Sequence, residues 1–199
     1  MTAEGTPKRT NVHVSNHPIL SHKISILRSS STAPKTFRAV LRELTFNLGY
    51  EATSTLTTKL IPLTVPVDNE HVEHTGQALA EKVALVPILR SGLGMVDSML
   101  ELVPDAAVHH IGMYRREMMP VQYYNRLPKK CEVDVVYVLD PIIATSNTIM
   151  SVIGILKKVS RQSNYCVECV YAYAYAWVYE SVEVCMRVWV CVYVSDGLR

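Results

Sequence analysis

The segment Val83-Ala84-Leu85-Val86-Pro87-Ile88-Leu89 carries no polar side chain and stops abruptly at Arg90-Ser91-Gly92-Leu93-Gly94, after which Met95 to Leu102 takes up helical spacing. An apolar run of strand length without alternation is the pattern of a parallel strand covered on both faces, whereas a strand with one wet face alternates. Strand, turn and helix therefore follow in order. Val108 to Tyr114 reads as a second short strand. Val133 to Leu139 reads as a third, which ends at Asp140 and leads through Pro141 to Asn147 into a helix carrying Ile149, Val152, Ile153 and Leu156. Strands alternating with helices predict an α/β fold, a parallel central sheet flanked by helices. Ligands of such sheets bind outside the carboxyl ends of the strands. Arg90, Arg115 and Asp140 each stand just after a strand, so this order of elements brings them toward one crevice.

Upstream of this core, residues 1–16 are polar and read as a flexible N-terminus. Pro18 to Arg28 has apolar residues at helical spacing (Leu20, Ile24, Leu27), and a Ser/Thr/Pro linker separates it from a second helix with Phe37, Val40, Leu41, Leu44 and Leu48. Thr36 is the expected cap of that helix, and Gly49 lies near its end. Residues 60–67, Leu-Ile-Pro-Leu-Thr-Val-Pro-Val, read as a proline-broken edge strand or hairpin arm, because proline cannot donate to a ladder. His71 to Glu81 reads as polar connection. Downstream, residues 165–199 change character: four of the five cysteines (Cys166, Cys169, Cys185, Cys191) and both tryptophans lie there. Tyr171, Tyr173 and Tyr175 alternate, as do the valines from Val182 to Val194, which predicts β structure. The expected organisation is thus 1–16 flexible, 17–164 an α/β domain, and 165–199 a divergent β-rich segment.

Composition narrows the function classes. The 199 residues suit one domain with one core. With 49% hydrophobic and 19% charged residues the chain has too much apolar surface to bury for a disordered protein. A net charge of +2 is too balanced for a non-specific binder of nucleic acid or anionic membrane, so any anion site must be local. Glu168, Glu180, Glu183 and Arg187 interrupt the apolar tail at intervals far below the roughly twenty residues needed to span a bilayer. The first residues contain no apolar segment followed by a small-residue cleavage site, so a cytoplasmic location with free thiols is the expectation. Cys166-x-x-Cys169 and His71-x-x-His74 each lack a second pair at zinc spacing, which argues against a metal centre.

The segment from Asp140 to Thr148 places a carboxylate at a strand end and a hydroxyl-rich turn (Thr145, Ser146, Thr148) at a helix start. Amides in a first helical turn have no intrahelical partner and the helix dipole favours negative charge there, so this turn is built to cradle a phosphate. Taken singly, a hydroxyl-capped helix needs no ligand, and an arginine at a strand end is usually a solvated surface residue. Two arginines beside a phosphate cradle point instead to a polyanionic substrate.

Five ordered blocks carry a family likeness: His17 to Arg28 (HPILSHKISILR), Thr36 to Arg38 with Leu48 to Thr53 (TFR, LGYEAT), Val86 to Met95 (VPILRSGLGM), Gly112 to Arg115 (GMYR) and Asp140 to Thr148 (DPIIATSNT). They resemble the uracil phosphoribosyltransferases, over His17 to about Lys158. The single acid followed by Pro141, where other phosphoribosyltransferases have a second acid, is similar to the uracil branch rather than to purine or orotate relatives. The resemblance implies transfer of a 5-phosphoribosyl group from phosphoribosyl pyrophosphate (PRPP), with Mg2+, to N1 of uracil, giving UMP and pyrophosphate, in a homodimer or higher homo-oligomer. It implies that Asp140 is catalytic, beneath the ribose, and that Arg90 and Arg115 contact the pyrophosphate. Pro141, Ala144, Thr145, Ser146, Asn147 and Thr148 would complete the PRPP site, and Arg116 to Asn125 would form a mobile loop that shields it.

Two departures from the family pattern stand out. Ser146 and Asn147 occupy positions where the family has glycines, whose conformational freedom lets backbone approach phosphate, so weaker phosphate binding is expected. The late Gly-Leu-Gly-Asp-Ala segment with which the family reads uracil has no counterpart after Lys158, and no uracil-binding residue is identified. Two readings follow: an enzyme of pyrimidine salvage, or a catalytically impaired family member that binds only PRPP or a full-length subunit.

Overall fold

The computed structural model describes residues 12–68, 70–117, 119–128, 132–143, 147–160, 166–175 and 187–194. They form four helices, a nine-stranded sheet and a separate two-stranded sheet. The apolar run that opens the sequence reading is strand β4 (Val83–Leu89). It lies at the middle of the main sheet, between β8 (Val135–Leu139) and β6 (Ile111–Arg116), and both neighbours run parallel to it. Beyond β8 come β10 (Cys166–Tyr175), β11 (Arg187–Val194) and β1 (Val12–Val14), all parallel. Two short strands, β5 (Ala107–Val108) and β9 (Ile142–Ile143), pair with β4 and β10. The far edge is antiparallel: β7 (Met119–Asn125) folds back on β6.

The central strands are apolar throughout because each face has its own cover. Val83 and Leu85 of β4, Val135, Tyr137 and Leu139 of β8, and Val170 of β10 face one layer made by α1 (Pro18–Arg28), α2 (Pro34–Thr53) and α3 (Leu93–Leu102). The alternate residues, Ala84, Val86, Ile88, Val136, Val138, Val167 and Cys169, face α4 (Asn147–Ser160) through Ile149, Val152, Ile153 and Leu156. Period two in the strands meets period 3.6 in the helices, as a two-sided sheet requires. Truncating a fully buried member such as Leu156 to alanine costs about 2–5 kcal/mol.

Several sequence expectations change at the local level. Helix α2 begins earlier than Thr36 suggests: Ala33 occupies its cap position without a side-chain bond, and Pro34 starts the helix, where a missing N–H is no loss. The helix also runs past Gly49 to Thr53. Residues expected as polar connection are instead strand β3 (Glu70–Leu79), paired along its whole length with β2 (Thr58–Val67) in an antiparallel hairpin. The pattern conceals β3 because both faces of this hairpin are largely exposed, so no apolar alternation is needed. The segment expected as a mobile loop, Arg116 to Asn125, contains β7. The C-terminal strands, read as β structure from their alternation, extend the main sheet.

Candidate active site

Asp140 follows β8 directly, and Ser91 stands in the turn after β4. Register between the two strands puts Pro87 beside Leu139, so the residues just past the strand ends also become neighbours. The Ser91 hydroxyl donates to Asp140 Oδ1 at 2.8 Å, and the Asp140 amide donates to the Val170 carbonyl of β10 at 3.3 Å. Gly92 permits the turn to close: a Cβ there would overlap the Leu139 carbonyl oxygen and lie 2.7 Å from the Ile88 nitrogen.

A cleft of about 370 Å³ opens at these carboxyl ends, lined by Ile88, Leu89 and Ser91 of the β4 end, Met113, Tyr114 and Arg115 of β6, and Asp140, Ile142 and Thr148 beyond β8. Burial is the largest influence on Asp140 and pushes its carboxyl up to about 6, against the opposing effects of the Ser91 hydroxyl, the Ile142 amide and the Arg115 charge. A carboxylate so placed is partly desolvated yet ionised at neutral pH, and it faces a guanidinium across a cleft large enough for a sugar phosphate.

Of the residues singled out in the sequence, Asp140, Arg115 and Thr148 are brought together on this cleft. Arg90 lies between two lining residues, Leu89 and Ser91, and is itself exposed and outside the lining set. Pro141 is buried beside Asp140, and Asn147 is exposed at the start of α4. Ala144, Thr145 and Ser146 lie outside the described residues. The site residue that sequence reasoning missed is Ser91. A serine in a turn carries no signal of its own, and only the β4–β8 register reveals its aspartate. Among the described residues no group of three His, Cys, Asp or Glu is arranged to hold a metal ion, and no helix is long and apolar enough to cross a membrane.

The family model described as "Uracil phosphoribosyltransferase" matches residues 14–191. The chain belongs to the uracil phosphoribosyltransferase family. Among curated relatives, the uracil phosphoribosyltransferase of Roseiflexus sp. (strain RS-1) is 44% identical over 149 residues, 74% of this chain and 70% of the relative. That of Streptococcus pneumoniae (strain R6) is 40% identical over the same shares of each chain. A solved protein from Aquifex aeolicus superposes with a TM-score of 0.77 at 28% identity, covering 92% of this chain and 86% of its own. A purine phosphoribosyltransferase from Pyrococcus horikoshii, at 14% identity and a TM-score of 0.52 over 81% of this chain and 91% of its own, shares the fold alone. The family match reaches past Lys158 to residue 191 and so takes in β10 and most of β11. Within that match β10 continues the sheet beside β8, and β11 lies beyond it.

Proposed function

We propose that this protein transfers a 5-phosphoribosyl group from PRPP to uracil, releasing pyrophosphate and forming UMP in pyrimidine salvage. The observation that carries the reading is the meeting of Asp140, Arg115 and Thr148 on one cleft at the carboxyl ends of parallel strands, in a chain of this family. Breaking the glycosidic bond to diphosphate leaves positive charge on the sugar and negative charge on the leaving group. In this reading the Asp140 carboxylate stabilises the first, and the Arg115 guanidinium the second. Thr148, at the start of α4, adds a hydroxyl where a helix N-terminus favours phosphate. In this reading Thr145 and Ser146 supply further donors, Pro141 and Ala144 belong to the same PRPP site, and Arg90 reaches the diphosphate from the turn after β4.

The proposed magnesium ion fits this site as a companion of the diphosphate. Asp140 is a single carboxylate, and the described residues offer no cluster that would hold the ion without the substrate. Bound with PRPP, it would neutralise charge on the leaving diphosphate. The protein's own part is to orient the sugar between Asp140 and Arg115 and to limit water around Asp140.

We also propose a cytoplasmic homodimer or higher homo-oligomer. Support comes from the β2–β3 hairpin, which forms a sheet of its own and leaves Val67 48% and Val72 47% exposed on one face. A lone two-stranded hairpin is marginally stable in water, and a second copy would cover its apolar side chains. Val67→Lys with Val72→Lys is expected to lower the mass measured by light scattering.

The test of the reaction is direct. Purified full chain is incubated with labelled uracil, PRPP and Mg2+, and UMP is measured against an Asp140→Asn control. No UMP above the control would refute transfer. The second reading, PRPP binding without transfer, is favoured by the lack of any residue assigned to uracil, and it predicts a thermal shift with PRPP and Mg2+ but no UMP.

A further inference from the structure

Three consecutive residues of strand β6, Met113, Tyr114 and Arg115, line the cleft. A regular strand turns successive side chains to opposite faces, so the local twist of the strand end sets which of them it presents to the cleft. The cause of that twist lies in its partner. Gly112 pairs with Tyr124 and Met113 with Gln122, which leaves Tyr123 as an extra residue with no opposite number. A bulge of this kind increases local twist and re-aims nearby side chains.

The side chain of the extra residue fills the place that makes the bulge possible. A Cβ at Gly112 would stand 2.5 Å from Tyr123 Cζ and 2.8 Å from its Cε2, so the ring occupies the room that glycine leaves. The same ring meets Tyr114, with centroids 6.1 Å apart and planes tilted by 57°. Tyr123 thus touches the residues on either side of Met113, one residue short of Arg115. It lies outside the set that lines the cleft and is 52% exposed, so the hydrophobic core does not require it.

We propose that Tyr123 is a positioning residue for Arg115: its ring, seated on Gly112 and against Tyr114, holds the bulge that directs the end of β6 into the cleft. The inference rests on the PRPP reading above, since Arg115 is there the diphosphate contact. It makes Gly112, Tyr114 and Tyr123 a unit. The phenol oxygen has no part in this role, so the ring alone should suffice.

The experiment measures binding of inorganic pyrophosphate with Mg2+ to the full chain by calorimetry. Tyr123→Ala is expected to weaken binding by about tenfold, in line with the penalty for small misplacements of a positioned charge, while Tyr123→Phe binds as the wild type does. In an Arg115→Gln background, Tyr123→Ala should add no further loss, because two residues acting through one contact are not additive. Gly112→Ala, which keeps every side chain but takes the ring's room, provides a second route to the same loss should Tyr123→Ala fold poorly. An equal loss from Tyr123→Ala with and without Arg115, or none in either, overturns the inference while pyrophosphate binding by the wild type stands. Absence of binding by the wild type overturns the PRPP reading and this inference with it.

Discussion

Ser91 and Asp140 lie 49 residues apart in sequence, yet the serine hydroxyl donates to the aspartate carboxylate at 2.8 Å and ties the turn after β4 to the end of β8. That bond opposes the rise in Asp140's pKa that burial produces. Ser91→Ala removes a side-chain donor to Asp140, so the carboxyl should titrate higher still. The acid limb of the pH–rate profile of UMP formation should move to higher pH, with KM for uracil little changed. An unmoved limb would show that Ser91 does not tune Asp140.

The buried charge of Asp140 costs stability at neutral pH. Its carboxyl is raised from 3.8 to about 6 by burial, so the folded protein holds this proton more tightly than the unfolded chain. For a group raised in the folded state, the stabilisation is complete below the unfolded value and is lost as pH rises through about 6. Asp140→Asn keeps an acceptor for Ser91 and removes the charge. At pH 8 it should be more stable than the wild type by on the order of 1–3 kcal/mol in urea denaturation, and at pH 4 the difference should shrink. UMP formation should fall by about a hundredfold or more, since the charge proposed to stabilise the sugar cation is gone.

The arrangement of these groups was only partly legible in the sequence. Val83 to Leu89 announced a two-sided strand because an apolar run has few other homes, and Asp140 followed from the same reasoning at β8. Ser91 was not legible, because its role depends on the register that sets Pro87 beside Leu139, a long-range fact. β3 was missed because an exposed hairpin satisfies its ladder without an apolar face, leaving Glu70 to Leu79 no pattern to display. The tail's alternation displayed its strands, whereas their place beside β8 depends on long-range pairing that composition does not display.

Arg115 acts on Asp140 through charge, lowering the carboxyl's pKa against burial. Arg115→Gln should therefore have two separable effects. KM for PRPP should rise by about tenfold or more, from loss of the proposed charge-assisted contact to the diphosphate. The acid limb of kcat should also shift upward, because Asp140 loses the cation that favours its ionised form. A rise in KM without a shift of the limb would place Arg115 on the substrate but not on the aspartate.

Gly92 is the position where the turn tolerates least. A Cβ there meets backbone on three sides: the Leu139 carbonyl oxygen, the Ile88 nitrogen at 2.7 Å and the Pro87 Cα at 3.0 Å. Backbone atoms of two central strands cannot rotate away as a flexible side chain can. Gly49 makes the contrast, because a Cβ there meets only the side chains of Leu102 and Met99. Gly92→Ala must therefore separate the β4 turn from β8 and break the Ser91–Asp140 bond. Overpacking of this kind costs about 1–3 kcal/mol or more, and the urea midpoint should fall accordingly. Gly49→Ala, answered by rotamer changes, should lower the midpoint less and leave the pH profile of UMP formation unmoved. If Gly92→Ala kept both the wild-type midpoint and the wild-type pH profile, the close approach of the two strand ends would not be what holds Asp140 in place.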